Sequence, residues 1–465
     1  MMRVISASFF LLTHLFGAPA AEPRPNIIFV LADDLSARDL ALYGGPVRTP
    51  VLERMARSGV LFHDAWSAPL CGPSRAILHT GKYPHNQGYY ENQITPEVPF
   101  FRDGRHLPLL KMAAGAGCAT GMFGKIHHGG DPAEYGAQEH CLARYWEGYD
   151  GPFQKRTRPR AGMYAISWYW HPGIVVNGVG LPTGPDDFGP DIECEHLLQF
   201  ISRNKDRTFF AYWPSNLPHM AHDPKTGRWA YTDVPELDAG GGRTGGRHKG
   251  SLASAVGYLD ALIGRIQDHL ERSGIADRTI IFFTADNGTA DGDKGSYDRD
   301  LAIRVPFVVS GGPVRPVGAS RALVDFTDIW PTAADLVGHV GAFNADGKSF
   351  APLLLGQPFV SREIIRMAMG DGRWIRDADW LLDGRGHFWD ARGAASQDAY
   401  RDASRSEDPD AVAARKRFDG YLRDFPPPDE NDPMTRDAWR MFRSKGKKPS
   451  GAPGPSADGD GERGK

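Results

Sequence analysis

Residues 26–34 read NIIFVLADD and residues 279–287 read TIIFFTADN. Each stretch is rich in β-branched and aromatic residues, which predicts strands over Ile27 to Leu31 and over Thr279 to Thr284. Both runs are apolar throughout and do not alternate with polar residues, as is typical of strands covered on both faces in a mainly parallel sheet. Acidic and amide residues follow each run directly, so polar groups are expected at the carboxyl end of each strand.

The same pattern recurs along the chain. Similar apolar runs occur at Thr120 to Phe123, Thr208 to Trp213 and Val305 to Val309. Between the runs, Val51 to Ser58 and Ser251 to Ser273 have helical periodicity. Strands that alternate with helices predict an α/β fold, in which helices sandwich a large, mainly parallel sheet.

Two glycine-rich stretches show neither the helical nor the strand periodicity. Gly129 to Pro190 is dense in glycine, proline, tryptophan and arginine, which predicts long surface loops that shape a substrate cleft. Gly240 to Gly250 predicts a mobile loop or a plain linker.

Short strand-like pieces after Phe350 predict a small antiparallel sheet in a C-terminal subdomain. These pieces are Ile364 to Met367, Trp374-Ile375, Trp380 to Leu382 and His387 to Trp389. We expect a main domain over 21–355, the subdomain over 356–428, and a polar, disordered tail over 429–465.

The first twenty residues resemble an export signal. A basic start at Arg3 precedes an apolar run from Phe9 to Phe16 and the small residues Ala18-Pro19-Ala20. That run is shorter than the roughly 20 residues that span a bilayer. A cleaved signal peptide over 1–20 is therefore predicted, with a periplasmic or secreted mature protein that has no membrane span.

Charge and cysteine content exclude other classes. The formal net charge is -3, which favours neither nucleic acid nor anionic membranes as partners. The four cysteines contain no C-x-x-C pair, which argues against a thiolate zinc site. If Cys71 is used for chemistry, at most one disulfide can form among Cys118, Cys141 and Cys194.

The polar residues that follow the strands Ile27 to Leu31 and Thr279 to Thr284 predict a metal site. Asp33 and Asp34 follow one strand, and Asp286 and Asn287 follow the other. Carboxylates brought to one sheet edge repel each other unless a cation lies between them. Hard oxygen donors favour calcium or magnesium over zinc. The alternative is that each doublet caps a following helix.

A second cluster of chemical groups begins at Cys71. Residues 71–82 read CGPSRAILHTGK. Pro73 suits the first position of a helix and Gly81 its end, so Cys71 is expected just ahead of a helix N-terminus, where backbone N–H groups attract anions. Arg75 adds a fixed cation, which makes Cys71 a candidate nucleophile.

This string matches the pattern C-x-P-S-R-x-x-L-x-T-G-[KR] of the type I sulfatases, a branch of the alkaline phosphatase superfamily. The chain also resembles that family at Pro25-Asn26-Ile27-Ile28, at Thr284 to Gly288 and at Arg304-Val305-Pro306. The resemblance implies a sulfuric ester hydrolase with an alkaline phosphatase-like fold.

The resemblance also implies roles for single residues. Cys71 would be oxidised to formylglycine by a maturation enzyme, and Arg75 would hold the aldehyde hydrate. One calcium ion would be bound by Asp33, Asp34, Asp286, Asn287 and the group at position 71. The remaining roles would be filled by Lys125 and Lys294 on sulfate, His127 on the hydrate with His128 as its substitute, and His219 as proton donor with His222 as its substitute.

Two other functions remain open at this point. A phosphonate or phosphodiester hydrolase of the same superfamily could hold its phosphoryl group with the same cations. A non-catalytic carbohydrate-binding homologue could keep an unoxidised Cys71 and stack sugars on Trp168, Trp170 or Trp229. For a sulfatase, the export signal and the aromatic, arginine-rich loops favour sulfated carbohydrates, without identifying the sugar.

Overall fold

The structure is a computed structural model that describes residues 24–90, 92, 106–127, 131–143, 168–222, 228–342, 344–370, 372–394 and 396–425. The predicted signal peptide, the predicted tail and His128 lie outside the described residues. The boundaries of the main domain and the subdomain remain predictions.

Strands fall into two large sheets and several short pairs in the described part of the chain. In chain order they are β1 (Asn26–Ala32), β2 (Val60–Phe62), β3 (Ala65–Trp66), β4 (Ala119–Lys125), β5 (Glu139–Ala143), β6 (Ile174–Val176), β7 (Val179–Leu181), β8 (Phe209–Pro214), β9 (Ala221–His222), β10 (Trp229–Ala230), β11 (Val234–Leu237), β12 (Arg243–His248), β13 (Thr279–Ala285), β14 (Phe307–Ser310), β15 (Gly318–Ser320), β16 (Val324–Asp325), β17 (Ile365–Met369), β18 (Gly372–Arg376), β19 (Trp380–Leu382), β20 (Phe388–Asp390) and β21 (Arg401–Asp402).

Helices connect and cover these strands. The α-helices are α1 (Pro50–Ser58), α2 (Cys71–Thr80), α3 (Pro84–Gln87), α4 (Leu109–Gly115), α5 (Pro132–Tyr135), α6 (Gly189–Asn204), α7 (Leu252–Arg272), α8 (Ile329–Val337), α9 (Ala351–Leu354) and α10 (Pro409–Arg423). Short 3₁₀ helices span Ala37–Asp39, Ala41–Tyr43, Ala276–Arg278, Phe326–Asp328 and Gln397–Ala399. Within the described ranges, a helix with the length and apolar character to cross a bilayer is not found.

The main sheet has ten strands in the order β15-β2-β14-β13-β1-β8-β4-β5-β6-β7. Its centre, β13-β1-β8-β4-β5, is parallel throughout. Every residue of β1, β4, β8 and β13 is buried, as expected for strands covered on both faces. The α/β fold with a mainly parallel sheet is confirmed.

The C-terminal sheet has five antiparallel strands in the order β17 to β21, which confirms the predicted small sheet. A buried ion cluster joins it to the main sheet. Arg376 of β18 lies 3.0 Å from Asp64 and 3.2 Å from Asp300. The Trp374 indole also donates to the Arg299 carbonyl at 2.7 Å. The smaller sheet therefore supports the segment 297–304 that follows the site loop described below.

The prediction of loops was partly wrong for both glycine-rich stretches. The described parts of Gly129 to Pro190 contain α5, β5, β6 and β7, and Gly240 to Gly250 contains β12, which pairs with β11 as a hairpin. These strands have three to six residues, too few to show a clear period. They form because a neighbouring strand offers free backbone groups.

Candidate active site

The site lies where four neighbouring parallel strands end. The strands β13, β1, β8 and β4 are adjacent in the sheet and run in the same direction. Their carboxyl ends therefore open onto one edge, where ligands bind in open α/β sheets. Each strand delivers at least one of the predicted groups to this edge.

The acidic doublets meet because β1 and β13 are in register. Ala32 pairs with Ala285, so Asp33 and Asp34 emerge beside Asp286 and Asn287. The pairing continues past the strands, since the Asp34 amide donates to Oδ1 of Asp286 at 3.0 Å. Asp34 has a left-handed φ of 67°, which aspartate tolerates better than most residues. The turn at Asp34 ends the strand at the site.

Two further contacts fasten the loops that carry the doublets. Ser36 and Thr289 exchange backbone-to-hydroxyl hydrogen bonds of 2.9 Å in both directions. Arg38 forms a two-pronged ion pair with Asp293, at 2.6 and 2.9 Å. Asp293 had no predicted role, and its position next to Lys294 shows that this pair fixes the lysine's loop.

Each of the three carboxylates contacts a buried or partly buried cation. Lys125 Nζ lies 2.5 Å from Asp33 Oδ2. Lys294 Nζ lies 2.7 and 2.9 Å from the two oxygens of Asp34. Arg75 binds Oδ2 of Asp286 through Nη2 at 2.8 Å and Nε at 3.0 Å. The predicted cations thus converge on the predicted acids.

Burial and neighbouring charge separate the pKa values of these groups. Burial, followed by the charge of Asp33, raises the pKa of Asp286 to about 7. Burial opposes ionisation of Asp33 as well, but Lys125, His219 and Arg75 hold its pKa well below the usual range. Burial would lower the pKa of Lys294, yet Asp34 raises it far above normal. Asp33 and Lys294 are therefore held in their charged forms, whereas burial favours the neutral form of Asp286.

Cys71 is the first residue of α2, whose preceding cap is Leu70. The helix thus begins two residues before the predicted start at Pro73, and its Gly81 end is confirmed by a left-handed φ of 65°. The thiol is 1% exposed, and its Sγ lies 4.0 Å from Asp34 Oδ1. Burial raises the pKa of Cys71 to about 11.

His127 and Asn92 lie over the start of α2. A Cβ at position 72 would lie 2.9 Å from Asn92 Oδ1 and 3.2 Å from His127 Nε2, so a larger residue would push these side chains away from the start of α2. Lys125 reaches the site because β4 passes close to Pro214. A Cβ on Gly124, with φ of 118°, would lie 2.2 Å from the Pro214 carbonyl oxygen.

His219 comes from the loop after β8. Its Nδ1 lies 2.6 Å from the Met220 carbonyl, and its Nε2 lies 3.4 Å from Asp34 Oδ2. An Nδ1–H donated to that carbonyl leaves Nε2 directed at the site. Burial lowers the pKa of His219, although Asp34 and Asp33 oppose the shift. The side chain of its predicted substitute, His222, is outside the described atoms.

Sequence patterns did not reveal the residue that holds this loop. The Tyr169 hydroxyl lies 2.7 Å from the Asn216 carbonyl and 2.6 Å from the His219 carbonyl. Glu193, whose pKa burial raises to about 8, accepts a 3.4 Å hydrogen bond from the Asn216 side chain. Tyr169 belongs to a stretch without periodicity, so no local signal could have identified it.

The donor set fits a hard cation. Oδ1 of Asp33 and Oδ1 of Asn287 are buried and have no hydrogen-bond partner among the described residues. Ligand atoms of Asp33, Cys71 and Asp286 lie within 4.8 Å of one another, as do those of Asp33, Asp34 and His219. Buried oxygens without partners are costly unless a ligand binds them. The doublets contact one another and the cations, and neither caps a helix.

Comparisons with known proteins agree with this arrangement. The sulfatase family profile matches residues 25–339. The chain is 30% identical over 407 residues to human N-acetylgalactosamine-6-sulfatase, covering 80% of this chain and 73% of that protein. It is 33% identical over 408 residues to the pig protein, with the same coverage. Human arylsulfatase A is 28% identical over 376 residues, or 74% and 70% of the two chains.

Solved structures share the fold. Ps i-CgsB in complex with k-i-k-neocarrahexaose superimposes with a TM-score of 0.67 at 22% identity, covering 91% of this chain and 100% of that one. A protein solved with its substrate D-glucosamine-2-N,6-O-disulfate gives 0.65 at 20% identity, over 88% and 99%. The profile match and the relatives together show that the chain belongs to the sulfatase family of sulfuric ester hydrolases.

Proposed function

We propose that the protein hydrolyses sulfate esters of carbohydrates, with a formylglycine made from Cys71 and a calcium ion held by Asp33, Asp34, Asp286 and Asn287. The observation that carries this proposal is the convergence of a buried Cys71 and two acidic doublets with the cations Arg75, Lys125 and Lys294 at one sheet edge.

The state of Cys71 supports the oxidation. A thiolate is the reactive form of cysteine, and burial raises the pKa of Cys71 to about 11. An unmodified thiol here is therefore a poor nucleophile at neutral pH. When present, formylglycine supplies an oxygen nucleophile at position 71, and calcium acts as a Lewis acid on the sulfate oxygens.

The chain's own cations bind the sulfate group. An ammonium has three donors, so Lys125 and Lys294 can each keep a carboxylate and still donate to a sulfate oxygen. Arg75 remains on Asp286, where its buried charge steadies the start of α2. Fixed cations in a site shielded from water stabilise negative charge far better than mobile ones do.

Two histidines move protons. A doubly protonated His219 donates its Nε2 proton to the leaving oxygen as the S–O bond breaks, because its Nδ1–H is engaged by the Met220 carbonyl. His127, over Gly72, takes the proton from the group at position 71. The two act on opposite sides of the reaction, the leaving group and the nucleophile.

Tyr169→Phe is expected to lower kcat several-fold and to leave KM for sulfate esters nearly unchanged. The Tyr169 hydroxyl holds the His219 loop through one hydrogen shared by two carbonyls, and its loss would cost about 1–3 kcal/mol of stability. The loss should be larger for sugar sulfates than for p-nitrophenyl sulfate, whose leaving group needs no proton. Equal losses for both would contradict a role through His219.

Chelation should lower the melting temperature, and calcium should restore it. A metal ion that binds only the folded state raises the free energy of unfolding by about 2.7 kcal/mol when its free concentration is a hundred times its Kd. Asn287→Ala should weaken this response, whereas Asp379→Asn at an exposed site should keep it. Scanning fluorimetry and metal analysis test the prediction. A chain that binds no metal and melts alike with and without chelator would overturn it.

The relatives and the similar structures support sulfated carbohydrates as the substrate class. The relatives' names include N-acetylgalactosamine-6-sulfatase, and two of the similar structures are complexes with k-i-k-neocarrahexaose and with D-glucosamine-2-N,6-O-disulfate. Released sulfate should be measured over N-acetylgalactosamine 6-sulfate, galactose 6-sulfate, glucosamine 6-sulfate and p-nitrophenyl sulfate. Matched phosphate esters provide the control, and a higher kcat/KM for phosphate would overturn the assignment.

Export to the periplasm or the medium is part of the same proposal. The oxidation of Cys71 also requires a maturation enzyme as a partner. N-terminal sequencing of the native protein tests the cleavage near Ala21. A mature chain that still carries residues 1–20 would contradict it.

A further inference from the structure

The three tryptophans named as candidate sugar contacts have different surroundings. Trp168 and Trp170 are only 3% and 8% exposed. The Trp170 indole donates to the Asp233 carbonyl, and Arg247 covers its ring at 3.6 Å. Trp229, in contrast, is 52% exposed. Trp229 is therefore the most exposed of the three rings.

Trp229 lies next to the proton donor. Its ring centroid is 5.9 Å from that of His219, at an interplanar angle of 73°. The strand that carries it, β10, pairs with β9, which begins two residues after His219. Because Nε2 of His219 lies 3.4 Å from Asp34, the indole stands beside the position where the leaving alcohol would depart.

We propose that Trp229 forms an aromatic platform that stacks on the sugar ring whose sulfate is removed. The inference rests on the proposed function, since it places the leaving group of that reaction. Exposed aromatic rings beside a polar centre suit pyranose rings, which have an apolar C–H face and polar edges. The platform would select for sugar without contacting the sulfate.

Trp229→Ala should lower kcat/KM for N-acetylgalactosamine 6-sulfate or galactose 6-sulfate, whichever is turned over faster, by about tenfold, mainly through KM. Trp229→Phe keeps a smaller ring and should lose less. The inhibition constant of inorganic sulfate should stay within about twofold of wild type, because sulfate alone does not reach the platform. Val179→Ala, exposed on the β7 edge strand, is the control and should match wild type.

A binding measurement separates the platform from catalysis. In a Cys71→Ala background, calorimetry should show weaker sugar sulfate binding after Trp229→Ala and unchanged binding of inorganic sulfate. The platform proposal is wrong if Trp229→Ala leaves kcat/KM and Kd for the sugar sulfate unchanged. It is also wrong if the substitution weakens the binding of inorganic sulfate by the same factor. In both cases the sulfatase proposal stands. If wild type releases sulfate from no ester of the panel, the proposed function itself fails.

Discussion

Cys71→Ser is expected to reduce turnover of every sulfate ester by roughly 10³–10⁶-fold, the range seen when an essential nucleophile is replaced. A serine hydroxyl at this position can take up a sulfate once. It lacks the second hydroxyl on the same carbon through which a hydrated aldehyde would release that sulfate. A single turnover of released alcohol followed by arrest is the expected time course.

The substitution should not disturb the fold. Cys71 is buried at the start of α2, and serine is smaller and compatible with the first turn of a helix. Cys118→Ser, another buried free cysteine, is the matched control and should remain active. A carbonyl-reactive hydrazide should label the peptide around position 71 in wild type only. Steady turnover by Cys71→Ser at the wild-type rate would contradict the proposed chemistry.

His219→Ala is expected to slow the hydrolysis of sugar sulfates by roughly 10²–10⁴-fold, the usual contribution of a general acid. A sugar alkoxide is a poor leaving group and needs the proton from Nε2. p-Nitrophenolate leaves without one, so turnover of p-nitrophenyl sulfate should fall far less. The ratio of the two rates is the measurement.

His248→Ala is the control for this prediction, because His248 is exposed on β12. It should leave both rates unchanged. Equal losses for the two substrates in His219→Ala would mean that His219 organises the site and does not donate a proton. Loss of the melting transition would be a different result, so thermal stability must be measured alongside.

The sequence predicted those parts of the site that depend on local order. Asp33 and Asp286 follow directly on apolar strands, and a strand's end fixes where the next side chain lies. The segment from Cys71 to Gly81 carries its own helix and its own turn, so its conformation is determined within a dozen residues. Both parts could be recognised without any knowledge of the tertiary fold.

Other parts depend on contacts between distant stretches. Tyr169 acts by reaching two carbonyls 47 and 50 residues away, and Arg38 meets Asp293 across 255 residues. Strand β12 forms because β11 lies beside it, although its glycines alone favour a loop. Local propensity carries no information on such partners, since tertiary contacts override it.

The doublets that end β1 and β13 are 252 residues apart at their closest link. A chain that has not yet paired these strands has no assembled binding set, so cation binding and completion of the central sheet are thermodynamically coupled. The coupling is reciprocal. A substitution in the sheet interior that contacts no ligand atom should weaken the apparent affinity for the cation once it populates the unfolded chain. Titration with metal would then report the integrity of distant packing.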